Sequence, residues 1–228
     1  MRCGLYGKLP AKRDFVAIAT PRGFLEAWEP WMQGGISSSR QDLGDDWQQA
    51  YLHAPIWRFW LGTELCGTTV LGAFMSSLDG VGRYYPLTLL AWAENGEAIP
   101  PPEFDPQETW FALAEEFLLA TLDHDVPFEA TTAALGRFAV PSQDPAPMTD
   151  GMLALPRGAV ALHTRERPFD EAFAVLRSVD YPRVYAAASF WWTIGGEGYD
   201  PIAFSTARMP DPLLFSDMLT GRFAERFG

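Results

Sequence analysis

The sequence predicts a layered α/β fold, in which helices cover both faces of a mixed, partly antiparallel sheet. Three strand-like stretches, 56–61, 68–75 and 86–92, follow one another with only turns and a short loop between them, which is typical of adjoining antiparallel strands. A strictly alternating doubly wound fold fits less well, because these three strands follow one another without helices between them. The length of 228 residues favours one domain, 1–228, with separate α+β packing as the alternative architecture.

The first quarter of the chain predicts one strand and two helices. An apolar run at 4–9 is typical of a first strand. A helix is expected from Pro21 onward, where apolar residues recur at helical spacing, and Pro30 is expected to kink or end it. A polar break at 37–39 then separates this helix from a second one over 40–53.

The second half of the chain predicts helices and strands in mixed order. In chain order we expect a helix begun by a capping box at 105–108, a helix within 125–138, a strand at 159–164, a helix at 168–179, a strand at 184–194, a strand at 202–205 and a helix at 210–223. The apolar run at 184–194 suits the centre of a sheet. The segment 140–151, rich in proline, serine and aspartate, predicts a mobile loop.

The charge balance argues against several classes of partner. Seventeen Lys and Arg against 29 Asp and Glu give a formal net charge of −12, which opposes binding to nucleic acid or to an anionic membrane. No uncharged run reaches the roughly 18 to 20 residues that a membrane-spanning helix needs. Early basic residues interrupt any secretory signal, so we expect a cytoplasmic protein. Cys3 and Cys66 are expected to be free, buried thiols.

Sequence motifs for catalysis, metals and cofactors are weak. Gly7 and Lys8 lack the flanking residues of a phosphate-binding loop, and no dinucleotide-binding glycine pattern is complete. The histidines have no metal-ligand spacing, and the triplet 123–125 is more typical of a solvated helix end. No elbow motif marks a serine nucleophile. We therefore expect no enzymatic activity, no cofactor and no metal site.

Nine tryptophans are unusual for a chain of this length. Most lie on predicted apolar faces and are expected in the core. Trp28, Trp31, Trp191 and Trp192 have a second interpretation, because aromatic side chains are also enriched at protein interfaces. The core is the favoured interpretation, since an exposed aromatic cluster would need a partner to cover it.

Three short motifs occur in order along nearly the whole chain. They contain Lys8, Pro10, Asp14 and Phe15 in the first, Ser77, Asp79, Gly82, Arg83 and Pro86 in the second, and Ser189, Trp191 and Trp192 in the third. Together the motifs resemble the TagF (ImpM-like) family of type VI secretion-associated proteins. The chain departs from the common family pattern at Lys12 and Arg13, where a small residue and glycine are usual, and at Tyr85, where phenylalanine is usual.

The resemblance implies a fold, a role and a partner. The fold is a three-layer α/β/α sandwich, which agrees with the element order above. The role is that of a cytoplasmic accessory protein that represses type VI secretion after translation. The leading partner is the forkhead-associated scaffold protein of the system, with a functional link to the threonine kinase and phosphatase pathway that sets its active state. The family carries no established catalytic residue to transfer to this chain.

The charged residues of the first two motifs flank predicted strands. Lys8, Asp14, Asp79 and Arg83 would form one polar cluster if those strand ends converge, with Ser77 and Ser189 as hydrogen-bond partners. Such a network would either organise the fold or form part of a binding site, and the two interpretations are equally open, because buried ion pairs often serve geometry.

Three functional hypotheses follow from these residues. The first is an interaction protein that binds a scaffold or assembly component and holds it from assembly. The second is an enzyme or ligand-binding domain that uses a polar pocket formed by the Lys8, Asp14, Asp79 and Arg83 loops. The third is a structural subunit of the secretion apparatus.

Overall fold

The computed structural model describes residues 1–94, 96–123, 125–142, 150–164 and 167–223. In chain order its elements are β1 (Arg2–Gly7), β2 (Val16–Ile18), α1 (Arg22–Leu43), α2 (Trp47–His53), β3 (Trp57–Leu61), α3 (Thr63–Cys66), β4 (Val70–Met75), β5 (Leu87–Trp92), α4 (Glu108–Ala120), α5 (Phe128–Leu135), β6 (Met152–Ala154), β7 (Val160–Leu162), α6 (Phe169–Val179), α7 (Tyr181–Val184), β8 (Ala188–Thr193), β9 (Ile202–Ala207) and α8 (Phe215–Thr220). Short 3₁₀ turns lie at Gly44–Asp46, Pro156–Gly158 and Pro212–Leu214.

Seven strands form one sheet in the order β2-β1-β5-β4-β3-β8-β9, and β6 and β7 form a separate hairpin. The consecutive strands β3, β4 and β5 lie side by side and antiparallel, as the sequence predicts. The α/β class is confirmed, but the prediction of a mixed sheet needs correction, because every strand pair among the described residues is antiparallel. Sequence order does not specify the direction of the first strand, β1, relative to β5, or the direction in which β8 returns to the sheet after a long connection.

Helices cover both faces of the sheet, so the expected three-layer α/β/α arrangement is confirmed. One face packs against α1, α2 and α8 through a core that includes Phe24, Trp28, Tyr51 and Phe215. The other face packs against α4 and α5 through a second core that includes Phe111. Because both faces are covered, β3, β4 and β5 are buried along their whole length and are largely apolar, with Arg58 in β3 and Thr88 in β5 as the exceptions.

Arg58 is the one buried charge on β3. Its side chain is 3% exposed, and its guanidinium reaches Glu108 at 2.8 Å and Glu115 at 2.6 Å, both on α4. The guanidinium carbon also lies 4.9 Å from the centre of the Phe111 ring. These contacts compensate the charge and attach α4 to the sheet.

Helix α1 is longer than the sequence predicts. It continues from Arg22 to Leu43 through Pro30 and through the serines that predicted a break. The hydroxyl of Ser39 donates to the carbonyl of Ile36 in α1 and accepts the indole N–H of Trp47 in α2. This buried hydroxyl therefore has both a hydrogen-bond acceptor and a donor. Burial of the apolar face of α1 therefore outweighs the local preference of serine for turns.

Two other local predictions also need correction. Helix α4 begins at Glu108, and the carboxylate of Asp105 accepts the backbone N–H of Gln107 instead of forming a capping box. The predicted central strand at 184–194 is shortened to β8, because Val184 belongs to α7. Strand β8 also lies next to the edge strand β9, so it is not at the centre of the sheet. Strand β2, with only three residues, was not expected.

The tryptophans in question lie mainly in the core. Trp28, Trp31 and Trp191 are buried in the core beneath α1, which favours the core over an interface, whereas Trp192 is partly buried against Phe111 on the other face. Cys3 and Cys66 are free, as expected, although Cys3 is only partly buried. Among the described residues, no helix has the length and apolar character needed to span a bilayer. His124 and residues 143–149, part of the predicted loop, lie outside the described residues.

Candidate functional site

Two of the three sequence motifs meet at one end of the sheet. The pairing of Gly7 with Val16 and of Met75 with Leu87 places the end of β1, the start of β2 and the β4–β5 connection side by side. The loops 8–15 and 76–86 therefore pack together. We call the surface formed by these two loops the motif-loop surface.

Asp79 is the centre of this arrangement. Its side chain is fully buried, and its Oδ2 lies 3.0 Å from Lys8 Nζ and 2.7 Å from Arg83 Nε. Its Oδ1 accepts the backbone N–H groups of Val81 at 3.1 Å and Arg83 at 3.0 Å. Both carboxylate oxygens are thus occupied, Oδ1 by the second loop and Oδ2 by side chains from both loops.

The electrostatics of Asp79 follow from these contacts. Burial alone would raise the pKa of this carboxyl group, because it disfavours the charged form. The backbone N–H of Arg83, the side chains of Lys8 and Arg83 and the N–H of Val81 outweigh burial and hold the pKa of Asp79 well below its ordinary value. Asp79 is therefore ionised at neutral pH.

The backbone of the second loop is shaped to surround this carboxylate. Gly82 has a φ of 84°, which glycine adopts without strain, and its N–H donates to the carbonyl of Asp79 at 2.9 Å. The N–H of Gly80 donates to the carbonyl of Lys12 at 2.7 Å, and a side chain at Gly80 would approach the Pro10 carbonyl oxygen to 2.9 Å. The absence of a side chain at Gly80 therefore lets the second loop approach the backbone of the first loop closely.

Arg83 continues the network toward solvent. Its side chain is 57% exposed, and its guanidinium donates to the carbonyl of Arg13. The same guanidinium lies 3.9 Å from the carboxylate of Asp14, whose side chain is 96% exposed. The predicted convergence of Lys8, Asp14, Asp79 and Arg83 is therefore confirmed, with Asp79 buried and Asp14 at the surface.

An aromatic layer lies beside the ionic network. The ring of Phe15 packs against Tyr85 at 4.7 Å between ring centres, and Lys8 Nζ lies 5.0 Å from the centre of the Phe15 ring. Tyr6 lies 6.1 Å from Phe15 and donates from its hydroxyl to Glu29 on α1 at 2.6 Å. Phe15 remains 50% exposed and Val81 57% exposed, so the motif-loop surface presents two apolar side chains to solvent.

Ser189, at the start of the third motif, lies at the opposite end of the sheet from the motif loops. Ser189 pairs with Leu61, which itself pairs with Val70 at the start of β4, whereas the loop 76–86 follows the end of β4. The Ser189 hydroxyl donates to the Arg208 carbonyl at 2.6 Å and accepts the Trp191 indole N–H at 2.8 Å. The prediction that Ser189 joins the Asp–Arg network is therefore wrong, because strand register separates them.

The backbone of Ser77 attaches the second loop to helix α2. The hydroxyl of Tyr51, on α2, donates to the Ser77 carbonyl at 3.0 Å and accepts its N–H at 3.2 Å. Within the described residues the buried Ser77 hydroxyl has no hydrogen-bond partner, so its expected place in the ionic network is not confirmed. Pro86 fixes the start of β5, where its carbonyl oxygen would lie 2.0 Å from any side chain at Gly7.

Sequence analysis missed the neighbours that α1 and α2 contribute. A groove of about 460 Å³ separates α1 from the second loop, with Arg40, Tyr84 and Tyr85 among its lining residues. Gln48 on α2 donates to the Tyr84 hydroxyl, which attaches the loop to that helix. No spacing in the sequence connects residues so far apart. Among the described residues, no cluster of His, Cys, Asp and Glu could hold a metal ion.

Comparisons with known proteins identify a family that this chain resembles. A family model described as "TagF N-terminal domain, Type VI secretion system-associated" matches residues 4–138, which include both loops of the motif-loop surface. The crystal structure of PA0076 from Pseudomonas aeruginosa PAO1 is similar in fold, with a TM-score of 0.74. The two chains have 28% sequence identity, and the alignment covers 96% of this chain and 94% of that chain. No curated protein matches the sequence. Because the family model matches more than half of the chain, the protein belongs to the TagF family of type VI secretion system-associated proteins.

Proposed function

We propose that this protein is a cytoplasmic, post-translational negative regulator of type VI secretion. In this proposal it binds the forkhead-associated scaffold protein through the motif-loop surface and keeps the scaffold from productive assembly. Family membership supports an association with the secretion system. The observation that carries the choice of surface is the pair of half-exposed apolar side chains, Phe15 and Val81, on two loops joined by a buried ionic network.

The physical argument is preorganisation. Exposed apolar side chains release free energy when a partner covers them, but mobile loops lose conformational entropy when they bind. Here the bonds around Asp79 hold the loops before binding, so the loops lose little further conformational entropy when a partner binds. The exposed charges of Arg83 and Asp14 at the rim would orient the partner and limit the choice of partner.

The proposed repression is sequestration by mass action. A protein that binds one conformation of the scaffold withdraws that conformation from assembly in proportion to its concentration and affinity. No chemical step is required. A scaffold whose affinity changes with its threonine phosphorylation would connect this binding to the kinase and phosphatase pathway.

We propose a binding role in preference to an enzymatic one. The alternative of a catalytic or ligand-binding polar pocket needs a carboxylate or cation free to contact a substrate. Both oxygens of Asp79 are already occupied, and Lys8 is buried against the same carboxylate. The two charged groups that do face solvent, Arg83 and Asp14, lie 3.9 Å from each other. These contacts favour a structural role for the network beneath a protein-binding surface.

Val81→Asp is expected to weaken scaffold binding at least tenfold, because it would place a charge in the centre of the proposed interface. The measurement is calorimetric titration into the purified scaffold, in phosphorylated and unphosphorylated forms. The matched control is Val184→Asp, since Val184 is 48% exposed and lies on α7, away from the motif loops. The control is expected to bind like the unsubstituted protein.

Two results would contradict this proposal in different ways. If the unsubstituted protein shows no binding to either scaffold form at several temperatures, the scaffold is not the direct partner. If it binds and Val81→Asp binds equally well, the interface lies elsewhere on the protein. Circular dichroism of each variant would show that a loss of binding is not a loss of folding.

A further inference from the structure

Within the residues that the structure describes, nothing pairs with the outer edge of β9. Among the described strands, β9 pairs only with β8, and the opposite edge is the three-residue strand β2. The six residues of β9, Ile202–Ala207, include no charged side chain. Proteins usually protect an edge of this length with a charge, a bulge or a covering element, because its free N–H and C=O groups can pair with another strand.

The backbone groups that face outward can be assigned. The N–H of Arg208 donates to the carbonyl of Ala187 at 2.6 Å, which continues the β8–β9 ladder. Backbone groups in an antiparallel strand alternate in direction, so the even-numbered residues face β8. The N–H and C=O groups of Ala203, Ser205 and Ala207 therefore point away from the sheet.

Side chains do not obstruct this edge on the α4 face. Ala203, Ser205 and Ala207 are exposed there, and all three are small. On the opposite face, Ile202 and Phe204 are half-buried against the core beneath α1. A second strand could therefore approach the edge without displacing a large side chain.

We propose that β9 pairs with β9 of a second copy of this chain, antiparallel and about a two-fold axis at Phe204. In this register Ala203 of each copy lies opposite Ser205 of the other, and their outward N–H and C=O groups form the hydrogen bonds. The two sheets become one continuous sheet. This interface is at the far edge of the sheet from β2, so it is independent of the proposed scaffold interface.

Charge complementarity selects this register. The outward N–H and C=O groups of one β9 must lie opposite the outward groups of the other. One β9 can therefore shift along the other only in steps of two residues. Only the register centred on Phe204 brings Asp200, two residues before β9, near Arg208, the residue that follows β9, of the second copy, and it does so at both ends of the paired strands. Both side chains are exposed, and within the part of the chain that the structure describes neither forms an ion pair. Opposite charges across a strand pair stabilise it, whereas like charges destabilise it.

The test is sedimentation equilibrium of the full chain over a wide concentration range. The unsubstituted protein, with a chain mass of 25.4 kDa, is expected to reach twice that mass. Asp200→Arg or Arg208→Asp alone would create two like-charge contacts in each dimer and weaken dimerisation by about tenfold or more. The double variant carrying both reversals is expected to restore dimerisation, which a simple folding defect would not do.

A second variant tests the backbone contacts. Ser205→Pro removes an N–H that does not bond to β8, so it should give a monomer with the same circular dichroism spectrum. If this variant fails to fold, the charge reversals still decide the question. A monomer at every concentration, or a dimer whose mass is unchanged by the single charge reversals, would overturn the proposal. So would a double variant that stays as weak as the single ones.

Discussion

Replacing Asp79 with asparagine is expected to lower the free energy of unfolding by about 3 kcal/mol. The substitution keeps the size of the side chain but removes the charge that compensates Lys8, whose side chain is only 8% exposed. An unpaired buried ammonium group is far less stable than a solvated one. The half-exposed Arg83 contributes less, because water screens its charge.

The effect depends on pH in a defined direction. The pKa of Asp79 in the folded protein lies below its ordinary value of 3.8, because donors to the carboxylate outweigh the effect of burial. A group with a lowered folded pKa stabilises the protein above its unfolded pKa and loses that contribution as the pH falls toward the folded value. The stability difference between the unsubstituted protein and Asp79→Asn should therefore be constant near neutral pH and shrink below about pH 4.

Urea unfolding at pH 7 and at several acidic pH values measures both effects. Asp14→Asn is the matched control, since Asp14 belongs to the same network but its side chain is 96% exposed. We expect that control to change stability by less than about 1 kcal/mol. The double variant Asp79→Asn with Lys8→Met should regain stability relative to Asp79→Asn alone. A loss at Asp79 no larger than the loss at Asp14 would show that the network contributes little to the fold.

Trp191→Ala is expected to lower the free energy of unfolding by about 4 kcal/mol. The Trp191 side chain is fully buried, and its ring packs against Trp31 at 4.7 Å and Phe59 at 5.6 Å between ring centres. Its removal would leave a large cavity between β8 and α1, which the surrounding rings can fill only partly. The indole N–H donates to Ser189, so one hydrogen bond is also lost.

Trp192→Ala provides the comparison for this position. Trp192 is the next residue on β8, but it faces α4 and is only partly buried, so we expect a smaller loss. Thermal unfolding monitored by circular dichroism would measure both variants. If Trp191→Ala kept full stability and lost only scaffold binding, the interpretation of Trp191 as a core residue would be wrong.

The expected effects separate the two roles within the family motifs. Asp79 and Lys8 are buried and hold the loops, whereas Val81 and Phe15 are exposed and available to a partner. Variants of the first pair should change stability, and variants of exposed Val81 should change binding without changing stability. This distinction makes the proposed scaffold interface testable by point substitution.

The sequence predicted a cluster of the first two motifs only if their strand ends converge, and the strand order meets that condition. Lys8 follows β1 and Asp79 follows β4, and the two strands have only β5 between them. The place of Ser189 was not predictable, because β8 joins the sheet beyond β3 and its register is set by side-chain packing. Helix α1 likewise exceeded its predicted end, because Ser39 and Trp47 satisfy each other only once the helix packs against the sheet.

The sequence by itself determined the α/β class, most of the strands, the family resemblance and the residues of the ionic network. These features depend on local periodicity and on short motifs, each of which is continuous or nearly so along the chain. Only the tertiary structure decided the antiparallel direction of all described strand pairs, the separation of the third motif, the exposure of Phe15 and Val81 and the open edge of β9. Those features depend on contacts between distant segments, whose free energy is gained only when the whole sheet and its helices pack together.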